Sequence, residues 1–217
     1  MHLYTVKGCD TLVVELLLQQ YPVALSAMDI GYNLPIHWLA GCHFSVPQVT
    51  RLFVQGAPES VEKRITCPGG QRRTLLEAVL TSRRFLSDDA ALARNEESIR
   101  IIVNAYPRVL AELVEYNGSE EQAKYEDMNL RNELYIDTMG NLQLHSLLQS
   151  KPTDSLVKLF LSNFPEAVRV RDSKSWTILM HGQIIERLSL STKCMLILQL
   201  AESNTMSLQS RCITPEL

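Results

Sequence analysis

Long apolar runs are missing from this chain. The two richest, TLVVELLL (11–18) and MLILQL (195–200), stop far short of the roughly 18–20 residues a bilayer-spanning helix needs. No basic segment followed by an uninterrupted apolar core opens the chain, so nothing reads as a secretory signal. Cysteine is sparse: Cys9, Cys42, Cys67, Cys194 and Cys212 are scattered, odd in number and never in a CxxC pair. That pattern argues against a disulfide framework and for a reducing compartment. Charge of one sign is also lacking, with a net charge of -3 over 217 residues. That mildly acidic balance argues against a phosphate backbone as the main partner, since non-specific nucleic-acid affinity comes from clustered Lys and Arg. The expectation is an intracellular protein, cytoplasmic or nuclear, with no membrane attachment.

Signatures of catalysis are equally scarce. Gly69-Gly70 lacks the GxxxxGK[ST] context of a phosphate loop, and no GxSxG elbow, kinase signature or HExxH helix occurs. Adjacent carboxylates such as Asp88-Asp89 suit a helix N-terminus better than acid–base work. Cys42-His43 has no matching second pair to complete a zinc site. No enzyme activity, cofactor or metal is expected.

What the chain does have is internal repetition. Four segments align without gaps: LLLQQYPVAL (16–25), LFVQGAPESV (52–61), IIVNAYPRVL (101–110) and LFLSNFPEAV (159–168). Each carries three apolar residues, then a proline, then an apolar residue three places on. Only nine prolines exist, yet Pro22, Pro58, Pro107 and Pro165 fall in register. Val13, Leu16, Leu17 and Val49, Leu52, Phe53 follow i, i+3, i+4 spacing, which predicts amphipathic helices that the prolines stop. Asp10, Thr153 or Asp154, and Ser191 or Thr192 are the expected N-caps.

A second element follows each proline. Leu34-Pro35-Ile36-His37 and Thr177-Ile178-Leu179-Met180 begin 12 residues after Pro22 and Pro165. Leu142-Gln143-Leu144-His145 is a copy displaced by an insertion, and Thr74-Leu75-Leu76-Glu77 a weaker one. Asp29, Asp137 and Asp172 precede this element by five residues, within DIGYNLPIH (29–37) and DTMGNLQLH (137–145) for the first two. Pro35 suits a first helical turn. Gly31 and Gly140 are the expected sites of positive φ.

This text resembles the ankyrin repeat, in a divergent form whose second helix ends in Tyr-Pro or Phe-Pro. The Gly-His turn between the helices is missing, and among the Pro-Leu-His elements only 35–37 is intact. The resemblance implies an all-α solenoid of about five stacked helix-turn-helix repeats, partial at both ends. The units are approximately 1–33, 34–73, 74–141, 142–176 and 177–213, with insertions near 81–95 and 112–136. His2, His37 and His145 occupy equivalent positions, and the resemblance gives this histidine the role of tying its own turn by hydrogen bonds. Copies one repeat apart, roughly 10 Å, are too distant to share a zinc ion. Trp38 and Trp176 adjoin the motif and are expected to pack or edge the turn. At the carboxyl end, Leu196-Ile197-Leu198 fits the triple-apolar element, with Glu202 in the proline slot. His2 and Thr214 also fall in register, as in a piece of a longer array.

The implied function is a non-catalytic scaffold that binds a partner protein through turn tips, concave helix face and inserted loops. Candidate contacts at the tips are Ile30, Tyr32, Thr138, Met139, Ser173 and Lys174. Arg72 and Arg73 belong to a basic loop, and Glu120 and Glu121 to an acidic one. Two alternatives stay open: an RNA-reading helical-hairpin array of similar repeat length, and a structural or degenerate fragment whose loops merely neutralise one another. The sequence names no partner and leaves the oligomeric state open.

Overall fold

The computed structural model describes residues 10–41, 46–66, 72–111, 143–170, 177, 179 and 185–211. The protein is mostly helical. Its elements are α1 (Thr11–Gln20), α2 (Pro35–Gly41), α3 (Pro47–Gly56), α4 (Leu75–Arg83), α5 (Asp89–Ala105), α6 (Gln143–Gln149), α7 (Asp154–Asn163) and α8 (Leu190–Arg211). Among the described residues a single short antiparallel ribbon, β1 (Ile65–Thr66) and β2 (Arg72–Arg73), pairs Ile65 with Arg73 and Thr66 with Arg72. Among the described residues no helix is long and apolar enough to cross a membrane.

The helices pack in chain order as two rows. One runs α1, α3, α5, α7, α8, each against the next; the other runs α2, α4, α6. Between the rows lies one continuous apolar core. A helix pair with a single apolar stripe cannot bury it alone, so each pair draws stability from its neighbours.

The four in-register prolines act as expected and then do more. The residue before each is pushed out of helical geometry into one common conformation: Tyr21 (φ -137°, ψ 66°), Ala57 (-151°, 72°), Tyr106 (-142°, 75°) and Phe164 (-147°, 74°). Each still closes the last helical bond, onto the carbonyls of Leu17, Phe53, Ile102 and Phe160. The prolines then open one-turn 3-10 helices, Pro22–Leu25, Pro58–Val61, Pro107–Ala111 and Pro165–Arg169. There the missing N–H costs nothing. Leu25, Val61, Leu110 and Val168, three residues after each proline, are all buried.

Four details of the sequence reading are corrected. The buried stripe lies eight, five and four residues before the proline, as in Ile99, Ile102 and Val103 or Val157, Phe160 and Leu161. Leu16 and Leu52, six residues before, sit outside it: Leu52 is half-buried and Leu16 exposed. The residues added near 81–95 do not all form a loop. They lengthen α5 to 17 residues against 10 in α1, α3 and α7, with Asp88 capping it through the Ala90 and Ala91 amides. Ser189, rather than Ser191 or Thr192, caps α8, its hydroxyl accepting from the Thr192 amide at 3.3 Å. And α8 runs through Glu202 for 22 residues, because glutamate imposes none of proline's constraints.

Candidate partner-binding surface

The turn before α2 is built around one carboxylate. Oδ1 of Asp29 accepts from the amides of Gly31 and Asn33, both at 2.8 Å, and Oδ2 accepts from the Trp38 indole N–H at 2.7 Å. Main-chain bonds from Tyr32 N–H to the Asp29 carbonyl and from Asp29 N–H to the Asn33 carbonyl, both 3.0 Å, close the loop. Short side chains that accept from their own following amides are what make Asx turns rigid. Trp38 thus edges the turn, as its place beside the motif suggested.

Positive φ falls on Tyr32 (61°), not on the glycine beside it. At Gly31 a Cβ would be a tight fit, 3.0 Å from Asn33 Nδ2 and 3.3 Å from Asp29 Oδ1, so those side chains would have to give by a few tenths of an ångström. Holding a tyrosine in the left-handed region costs on the order of 1 kcal/mol. The outcome is a stiff tip on which Ile30 is fully exposed and Tyr32 is 75% exposed.

This tip is tied to the next repeat. Asn33 uses its side-chain carbonyl to accept from the Thr66 amide at 2.9 Å and its amide to donate to the Thr66 carbonyl at 3.4 Å. Asn33 therefore imitates a strand partner at the edge of the β1–β2 ribbon. Beneath it, the Leu34 amide donates to Nδ1 of His37 at 3.1 Å, which leaves the ring proton on Nε2 to donate to the Lys63 carbonyl at 3.1 Å. Both ring nitrogens are engaged by main chain, one in its own turn and one in the neighbour's. Burial lowers the His37 pKa to about 4, the carbonyl contacts only partly opposing it, so the ring is neutral at physiological pH.

The equivalent third residue of α4 is Glu77, and of α6 His145; both are buried. The weaker Thr74 motif keeps the N-cap, with Thr74 Oγ1 accepting from the Glu77 amide at 3.1 Å. Arg73, a candidate contact, lies 3.9 Å from the Glu77 carboxylate and is about one-third exposed. Arg72 belongs to β2, backbone paired with Thr66. Among the other candidates, His2, Glu120, Glu121, Thr138, Met139, Ser173 and Lys174 lie outside the described residues. The structure brings together Ile30, Tyr32, His37 and the β1–β2 ribbon.

A buried polar junction escaped the sequence reading. Arg83 is 1% exposed. Its Nε donates to the Lys151 carbonyl at 3.1 Å, and its Nη1 to the Leu92 carbonyl at 2.9 Å and Asn95 Oδ1 at 3.3 Å. Nη2 stands 4.0 Å from Glu96, which also accepts from Thr153 at 2.7 Å, Arg100 at 2.9 Å and Ser155. Burial alone would raise the Glu96 carboxyl, but the hydrogen bonds from Ser155, Thr153 and Arg100 outweigh it and hold the pKa low. Lys151, at φ 59°, donates its ammonium to the Leu86 carbonyl. The cluster joins α4, α5 and the turn before α7. The β1–β2 ribbon was missed too, although Pro68-Gly69-Gly70 between Ile65-Thr66 and Arg72-Arg73 is a turn signal.

Comparison with protein-family models, with curated proteins and with solved structures finds no match to this chain.

Proposed function

We propose that the chain is a non-catalytic, ankyrin-like α-solenoid of about five repeats that holds a partner protein by its turn tips. The single observation behind this reading is the Asp29 turn. A large aliphatic and a large aromatic side chain, Ile30 and Tyr32, project into solvent from backbone already fixed by hydrogen bonds. A preorganised tip loses little entropy on binding, and exposed aromatic anchors are the side chains from which interfaces draw most of their energy. The fixed turn on a mostly helical, two-row frame supports a scaffold more than an RNA reader.

The test is affinity capture from cells that make the protein, comparing the native chain with an Ile30→Ser/Tyr32→Ser variant whose helical melting is unchanged. Proteins retained by the native chain and lost by the variant are expected; truncating a central anchor costs ~2 kcal/mol or more. Undiminished retention by the variant would remove the tip from the interface. Retention of single-stranded RNA on filters at low salt would favour the alternative.

A further inference from the structure

The Asp29 turn and the β1–β2 ribbon are joined at two depths. At the surface Asn33 holds both main-chain groups of Thr66, accepting from its amide at 2.9 Å and donating to its carbonyl at 3.4 Å. Underneath, the His37 ring spans the same joint, from the Leu34 amide in its own turn to the Lys63 carbonyl at the root of the ribbon. The Asn33 bonds are exposed, so water replaces them at little cost. The His37 ring is shut in, the residue being 3% exposed.

The ring can serve this joint only while neutral. Nδ1 faces an N–H and must offer it a lone pair, while the one ring proton sits on Nε2 and goes to Lys63. A second proton would have to sit on Nδ1, setting two donors face to face. Asp29 favours the extra charge through space, but its oxygens are already engaged by Gly31, Asn33 and Trp38, and Lys63 opposes it. Of the elements packed against α2, the Pro22–Leu25 turn carries no ionisable side chain. Arg51 of α3 pairs with Glu97; in α4, Glu77 lies beside Arg73 and Arg83 beside Glu96.

We propose that His37 is an acid-released latch: once protonated, the ring leaves the joint, and the Asp29 turn and the ribbon part while the two helical rows stay folded. The rows rest on the apolar core, which carries no titrating group. The joint, by contrast, falls back on the exposed Asn33 bonds. Glu62, Lys63 and Thr66 are exposed and Arg64 and Ile65 half-buried, so lifting this stretch uncovers little of the core. In the open state the hydrated ring titrates near 6.5, and in the closed state at about 4. Between those values the open chain takes up a proton that the closed chain refuses, so the opening constant rises about tenfold for each unit of pH lost. The latch works whether or not the tip holds a partner.

Hydrogen exchange followed residue by residue by NMR tests this, each rate being referred to the intrinsic rate at that pH. Between pH 6.5 and 5 the opening constant at the Leu34 and Thr66 amides should rise about 30-fold. Val157 and Phe160 of α7 should stay more strongly protected at every pH. His37→Gln, whose side-chain carbonyl can still accept from Leu34 but takes up no proton, should abolish the rise; helical melting checks that it folds. Asn33→Ala, which removes exposed bonds and keeps the ring, gives a second reading: opening at Leu34 should be greater at each pH with the same tenfold slope. A native chain whose Leu34 opening stays flat with pH would overturn the latch. So would protection at Leu34 and Thr66 lost only in step with α7, a slope that survives in His37→Gln, or one that Asn33→Ala removes.

Discussion

The Asp29 turn and the Arg83 junction are both knots of polar groups, yet they are assembled in opposite ways. In the turn, one carboxylate reaches residues two, four and nine positions away, and the product sits at the surface with apolar side chains pointing outward. In the junction, Arg83 reaches across 68 residues to Lys151, and the product is sealed inside. Local knots set the shape of a tip; long-range knots set how repeats sit on each other. The difference predicts that damage at the junction unfolds the protein, whereas damage at the turn leaves it folded and impairs what the tip does.

The strongest way to break that contrast is Arg83→Ala. It strands the Lys151 and Leu92 carbonyls and the Asn95 amide oxygen and leaves Arg100 as the cation beside Glu96. Chemical denaturation should show a loss of about 3–5 kcal/mol, the range for removing one member of a buried charged pair. A loss under 1 kcal/mol would make the junction incidental.

Next in size is a pH effect from His37. Its folded pKa, about 4, lies below the 6.5 of an unfolded histidine. Between those values the unfolded chain takes up a proton that the folded chain refuses. Stability is therefore full above pH 6.5 and falls as pH drops toward 4, by about 3 kcal/mol in total. The same titration of His37→Asn should lack this component, and an unchanged slope would assign the effect elsewhere.

The turn itself should be cheaper to disturb. Asp29→Ala removes acceptors for Gly31, Asn33 and the Trp38 indole, at an expected ~1–2 kcal/mol for partly exposed bonds. In proton–nitrogen NMR spectra the Trp38 indole resonance should move to its solvent-exposed position. Smallest is Tyr32→Gly, which relieves the left-handed backbone at φ 61° and should raise stability by ~0.5–1 kcal/mol while reducing partner capture. A variant both more stable and fully active would detach Tyr32 from binding.

Legibility in the sequence follows the same division. The helix stops, the Asp10 and Asp88 caps, the histidine at the head of α2 and the Asp29 turn all depend on residues within about a turn of one another. Pattern alone shows them. Val49 and Phe53 are buried as their spacing implied, whereas Leu16 and Leu52 fall outside the stripe because three consecutive apolar residues match two helical registers, and only the neighbouring row decides between them. Arg83 stands out by no local pattern, since its partners Asn95, Glu96 and Lys151 become neighbours only after α4 folds onto α5 and α7. Glu202 looked like a substitute for proline by spacing, but the slot works through proline's ring and missing N–H, which spacing does not record. Residue type points to Gly31 for positive φ, whereas the structure places it on Tyr32, inside the hydrogen bonds that Asp29 makes to Gly31 and Asn33.

The most direct measurement is photo-crosslinking in cells from a benzoylphenylalanine placed at residue 30, compared with the same probe at exposed position 89, at the far end of the α4–α5 hairpin. Discrete protein adducts from position 30, abolished by Asp29→Ala and absent from position 89, are the expected result. Equal labelling from both positions, or none from position 30, would contradict a binding role for the tip.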